Sequence, residues 1–166
     1  MSNELFPDYR IGPEAMKYFE RGYRYQMKGE LEGAVKAYQR SLEIQPTAEG
    51  YTFLGWAYSC MGKLEEAIKE CLNAIATDPD FGNPYNDIGS YYSQMGKFDE
   101  AIRWLEKAKH VTRYASPEFP YTNLGKIYEQ RGLWPLAIKE YQAALQVNSG
   151  YYPAREALKR LEPNLN

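Results

Sequence analysis

Four times along the chain a helical face is written at one spacing. An aromatic residue is followed at i+3, i+4 and i+7 by an aliphatic residue, a glycine and a tyrosine: Tyr51, Leu54, Gly55, Tyr58; Tyr85, Ile88, Gly89, Tyr92; Tyr121, Leu124, Gly125, Tyr128. The first copy reads Tyr18, Arg21, Gly22, Tyr25, with a charge in the aliphatic place. Residues so spaced share one side of an α-helix. A second glycine follows each first one: Gly29, Gly62, Gly96 and Gly132. Glycine reaches positive φ without strain, which ends a helix. Beyond it Ala34, Ala67, Ala101 and Ala137 begin another apolar face, continued by Ala74, Ala108 and Ala144, with Ser41 in the first copy. The pattern predicts two helices per copy, over 48–61 and 64–77 in the second.

The first glycines lie 33, 34 and 36 residues apart. Such a period marks a repeat array, in which each unit buries its apolar faces against its neighbours. Glycine inside a helix costs ~1 kcal/mol relative to alanine. Its recurrence predicts a compensation: the missing side chain lets the second helix approach closely at its alanines, and the tyrosines fill the space beside that contact.

The pattern resembles the tetratricopeptide repeat family, whose signature is a large residue, Leu-Gly, Tyr, Gly, Ala, an aromatic, Ala and Pro. The second copy carries Tyr51, Leu54, Gly55, Tyr58, Gly62, Ala67, Ala74 and Pro79; the first adds Tyr38 and Pro46, the fourth Tyr141. Cys71 and Leu105 stand where the second-helix aromatic falls, and Arg113 and Ser149 where the stop proline falls. The resemblance covers about residues 15–151 and implies an all-α fold, a right-handed α-solenoid of antiparallel helix pairs with about nine helices. The repeats are expected at 15–47, 48–81, 82–115 and 118–151, after a flexible lead-in over 1–13 containing Pro7, Gly12 and Pro13. Ser116-Pro117-Glu118 reads as an N-cap, a first-turn proline and an acid at the positive helix end. A capping helix is expected over 152–162, with Ala154, Ala157, Leu158 and Leu161 on the covered side, Arg155, Lys159 and Arg160 in solvent, and a tail at 163–166.

Composition narrows the chemistry. Of 166 residues, 44% are apolar and 25% charged, and the net charge is −2, which disfavours nucleic acid as a partner because phosphate binding needs clustered cations. No run of 18 apolar residues exists to span a membrane, and the first residues lack a secretory pattern, so a cytoplasmic location is expected. Cys60 and Cys71 make no disulfide framework. His110 is the sole histidine and lies near Lys107, Lys109 and Arg113, where it reads as a solvated helix-end residue. No phosphate-cradling glycine motif, metal-ligand spacing or cofactor motif is present, and no enzyme is expected; Cys60 is the one conceivable nucleophile. Glu65-Glu66 and Asp99-Glu100 read as first-turn acids rather than a catalytic pair.

By the resemblance, first helices line a concave face. Helical phase assigns to it the stripe opposite the partner helix: Phe19, Tyr23, Met27, Thr52, Phe53, Trp56, Asn83, Asn86, Asp87, Ser90, Phe119, Asn123, Lys126 and Gln130. Phe19, Tyr23, Phe53 and Trp56 are candidate anchors for a partner, and Asn86 and Asn123 candidate bonds to a peptide backbone. An alternative is that the lead-in covers Phe19 and Tyr23, or that Trp56 packs between repeats.

The implied function is a non-catalytic adaptor or scaffold that binds a peptide or protein segment. The second reading is a self-assembling oligomer using the same groove or its terminal helices. Some family members grip a C-terminal carboxylate with lysine, asparagine and arginine. Here the corresponding places hold Phe19, Tyr23, Phe53, Asn83 and Asp87, or one repeat later Thr52, Trp56, Asp87, Phe119 and Asn123. Neither frame supplies a cation, so a carboxylate clamp of that kind is not expected.

Overall fold

The computed structural model describes residues 6–161; the expected tail at 163–166, the last residue of the expected capping helix and the first five of the lead-in lie outside them. The chain divides into two compact units, one reaching Pro84 and the other beginning at Tyr85. The first holds α1 (Pro13–Met27), α2 (Leu31–Ile44), α3 (Ala48–Cys60) and α4 (Leu64–Thr77). The second holds nearly all of α5 (Asn83–Gln94), then α6 (Phe98–Ala108), α7 (Glu118–Gln130), α8 (Trp134–Val147) and α9 (Tyr152–Leu161). Every element among the described residues is thus helical, as the periodicity predicts.

The turn glycines act as expected. Gly62 has φ +76°, its N–H donates to Ser59 O at 3.0 Å, and the Lys63 N–H donates to Tyr58 O at 3.0 Å. Those are the two bonds of a Schellman cap, and they satisfy carbonyls left open at the helix end. The other three turns repeat the geometry, so each repeated tyrosine also supplies the carbonyl on which its helix closes.

Within each hairpin the helices meet where the first glycine sits. In the first, Gly22 faces the Tyr38 ring while Tyr25 faces Gly33, the crossing order of an antiparallel pair. A Cβ on Gly55 would lie 2.9 Å from Ala67 O, and one on Gly89 would lie 2.6 Å from Leu105 Cγ. Ala34, Ala67, Ala101 and Ala137 are fully buried at these contacts, as are Tyr38, Cys71, Leu105 and Tyr141. The family's aromatic place is therefore a core position whether it holds a ring, a thiol or an isobutyl group.

Departures from the repeat have local reasons. Ser41, where the other copies hold alanine, is fully buried, and its hydroxyl donates to Ala15 O at 2.8 Å. That bond offsets the cost of a buried hydroxyl. Arg21 is exposed, and its guanidinium lies over the Tyr25 ring at 5.7 Å. The expected serine N-cap at 116 does not form: α7 starts after Pro117 without a side-chain cap, and Ser116 contributes its carbonyl to the Phe119 N–H instead. Proline fixes the entry φ, so the helix starts without a hydroxyl acceptor. Pro135 sits in the first turn of α8, where its missing N–H is harmless. The last helix buries Ala154, Ala157 and Leu161 against the α8 alanines, as a cap should. Arg160 is exposed, as expected, and also pairs: Nη2 donates to both Glu129 oxygens at 2.7 and 2.8 Å, and the Tyr141 hydroxyl donates to Glu129 Oε1 at 2.5 Å.

The close contacts define a stability test. Gly55→Ala is expected to destabilise by ~2 kcal/mol and Gly89→Leu by more, because the new atoms must push apart a backbone carbonyl in one case and a packed leucine in both helices' core in the other. Urea midpoints equal to that of wild type would show that the helices have room to spare.

Candidate functional site

The first-helix stripe in the first unit is not open. Residues 6–12 lie across it. The segment begins as a turn, with the Tyr9 N–H donating to Phe6 O at 3.2 Å and Pro7 and Asp8 at its middle. Both are residue types that type I turns favour at those places. The turn stacks the Phe6 and Tyr9 rings 5.0 Å apart with planes at 19°. Phe6 then meets Phe19 and Tyr23 edge-on, each at 5.1 Å, and Phe53 at 5.9 Å. Tyr9 meets Phe19 at 5.8 Å, Phe53 at 5.9 Å and Phe81 at 6.3 Å. Edge-to-face pairs of this kind contribute ~1 kcal/mol each beyond the area they bury.

The next residues are held by their backbone. The Arg10 N–H donates to Glu49 Oε1 at 3.1 Å, and the Gly12 N–H donates to Gln45 Oε1 at 2.6 Å. Glu49 is only 1% exposed, so its carboxylate is withdrawn from water and aimed at a main chain. The Arg10 guanidinium reaches Asp78 Oδ2 at 3.3 Å. Neither Gln45 nor Glu49 belongs to the expected site set. Glu49 lies on the stripe by phase, but its main-chain partner is remote in sequence. Gln45 follows the end of α2, where helical phase assigns no face.

These positions correct several expectations. The lead-in is not loose from residue 6 onward: Phe6 is buried and Tyr9 half-buried. Pro7, Gly12 and Pro13 describe its backbone well but say nothing of where its rings go. Phe19 is fully buried under Phe6, and Phe53 and Tyr23 are half-buried in the same cluster, with Trp56 5.6 Å from Phe53. Thr52 is buried with its hydroxyl on Ala48 O at 2.7 Å, a bond within its own helix. Met27 remains 52% exposed and Asn83 half-buried.

In the second unit, Asn86 and Asn123 do not both face solvent. Asn123 Nδ2 donates to Asn86 Oδ1 at 2.9 Å, and Asn86 is buried. Side-chain amides that bond each other join α5 to α7 and leave less for a peptide backbone. Asp87 and Ser90 are half-buried. Burial pushes the Asp87 carboxyl up to about 7 from 3.8, with a weaker opposing effect from a hydrogen bond to Asn86. Burial also pushes the Tyr114 phenol up, and the Asp87 charge adds to it. On α7, Phe119, Lys126 and Gln130 are exposed and share one face with half-buried Asn123. Cys60 is exposed and Cys71 buried. Among the described residues no three His, Cys, Asp or Glu side chains cluster to hold a metal, and no helix is long and apolar enough to cross a membrane.

Helix hairpins closed at a glycine, capped by a second glycine and repeated in tandem define a helical repeat protein. More narrowly, the chain belongs to the tetratricopeptide repeat family, whose profiles match residues 15–48, 48–81 and 85–113. No curated protein sequence matches it significantly. Among solved structures, it is similar to PilF of Pseudomonas aeruginosa, with TM-score 0.80, 22% identity, and coverage of 89% of this chain and 67% of that one. It is also similar to MamA, with TM-score 0.70, 24% identity, and 91% and 82% coverage. The second repeat domain of Spaghetti (RPAP3), solved with the HSP90 peptide SRMEEVD, aligns with TM-score 0.56 and 26% identity over 60% of this chain and 94% of that one. Members of the family generally serve as interaction modules rather than catalysts.

Asp87 generates a pH test. Its folded value lies above its ordinary one, so the fold holds the proton more tightly than the unfolded chain does. The resulting cost is absent below the ordinary value, grows as pH rises towards about 7, and is complete above that. Asp87→Asn should therefore raise Tm by ~3 °C near pH ~8 and change it little near pH ~4. Equal shifts at both pH values would rule out ionisation as the cause.

Proposed function

We propose that the protein is a non-catalytic adaptor that holds polypeptide segments of other proteins against the outward stripe of its first helices. One observation supports this reading above the others: the chain's own residues 6–12 lie on that stripe in the first unit, rings in an aromatic cluster and backbone N–H groups on Gln45 and Glu49. Ring anchors supply binding energy, and bonds to the main chain hold an extended segment with little demand on its sequence. The exposed face of Phe119, Lys126 and Gln130 offers an equivalent surface on α7, mixed in chemistry and not required for hairpin closure.

A second reading, self-assembly, has one observation in its favour. Leu133, Trp134 and Leu136 stand 39–44% exposed side by side at the start of α8. Adjacent exposed apolar groups of this size favour association.

Two measurements separate these readings. Capture from native lysate with wild type and a Phe119→Ala/Lys126→Ala/Gln130→Ala variant should yield proteins retained only by wild type, each then confirmed with purified components. Identical capture by both would remove the α7 face from the reading. Light scattering across a dilution series should give a constant monomer mass; a mass that grows with concentration and returns to monomer in Trp134→Asp would favour self-assembly.

A further inference from the structure

The segment over residues 6–12 has the attributes of a bound ligand rather than of a repeat. It belongs to no hairpin, and it is joined to α1 directly through Gly12 and Pro13. Its backbone N–H groups at Arg10 and Gly12 bond to side chains of α3 and of the loop after α2. The glycine contacts that close the hairpins, Gly22 on Tyr38 and Gly55 on Ala67, are made by the helices themselves, and Phe6 joins the edge of the same buried cluster as Ala34 and Tyr38.

Resting on the adaptor reading, we propose that this arm is a tethered occupant of a peptide site, and that the site's exchangeable ligand is a partner segment of the same chemistry. That chemistry is specific. The partner presents two aromatic side chains at the ends of a proline turn, aromatic-Pro-polar-aromatic, the arrangement in which Phe6 and Tyr9 stack. It must continue as an extended strand whose N–H groups reach Glu49 and Gln45. A cation directly after the second ring meets Asp78, as Arg10 does. Departure of the arm uncovers Phe19, Tyr23 and Phe53, so a displacing segment must bring rings of its own. Tethering gives the arm an effective concentration in the ~mM range, which a partner has to overcome.

The test uses the full chain and a labelled peptide of residues 6–12, FPDYRIG, read by fluorescence anisotropy. A Phe6→Ala/Tyr9→Ala variant should bind the peptide at least ~10-fold more tightly than wild type, because its own arm no longer competes. A reordered peptide, FYPDRIG, should bind neither. Circular dichroism establishes that the variant is folded; if it is not, Tyr9→Ala, which keeps Phe6, supplies the comparison. The proposal is overturned if the folded variant does not bind, if wild type binds equally well, or if the reordered peptide binds as tightly. It is also overturned if the wild-type mass doubles with concentration and the arm substitutions abolish the doubling, since the occupant would then be the arm of a second copy. None of these failures bears on capture by the α7 face, which tests the adaptor reading separately.

Discussion

The contact between a glycine on one helix and the wall of its partner is what the rest of this protein depends on. Two α-helices with ordinary side chains pack at 8–10 Å. Here a Cβ at Gly55 or Gly89 would already be inside van der Waals distance of the neighbouring helix. Atoms of the partner helix therefore occupy the space a side chain would need, a backbone carbonyl at Gly55 and a leucine side chain at Gly89. Buried alanines line the contact, and a large core residue from the second helix covers the glycine: Tyr38, Cys71, Leu105 or Tyr141. A substitution at the glycine pushes on a packed element, whereas a change of the covering residue leaves a position that still accepts apolar groups of several shapes. That asymmetry explains why the glycine recurs in all four copies and the aromatic in only two.

Closing each hairpin on one face leaves the other face of its first helix unused, and the two units use it differently. In the first, the face carries rings, and the chain's own arm covers them. Rings left in water would be costly, and Phe6 and Tyr9 supply matching apolar surface. In the second, the face is polar. Its asparagines bond each other across α5 and α7, Asp87 is half-buried, and Phe119, Lys126 and Gln130 stand exposed on α7.

The last hairpin has no following repeat to cover it, and α9 takes that role with both apolar and polar means. Ala154, Ala157 and Leu161 bury against α8, while Arg160 and the Tyr141 hydroxyl converge on Glu129. A carboxylate with a guanidinium on one side and a phenol on the other fixes the capping helix in register as well as covering its neighbour.

Helix positions, turn glycines, the glycine contacts and the capping helix were all legible in the sequence, because each is a local rule repeated at a fixed spacing. A pattern such as Tyr58-Ser59-Cys60-Met61-Gly62 carries its own Schellman cap, and four copies in phase average out the noise of any single one. Helical phase assigns Phe19, Tyr23 and Phe53 to the stripe away from the partner helix, yet Phe19 is large enough to reach the Tyr38 ring of that helix at 5.6 Å. What phase did not decide was whether that stripe would meet water. Covering Phe19 takes Phe6, and holding the arm takes Gln45, Glu49 and Asp78, residues brought together from distant parts of the chain by the stacking of the hairpins. Nor does phase say that Asn86 lies within bonding distance of Asn123. Periodicity fixes the direction in which a side chain leaves its helix; only the packed chain determines what stands at the other end of that direction.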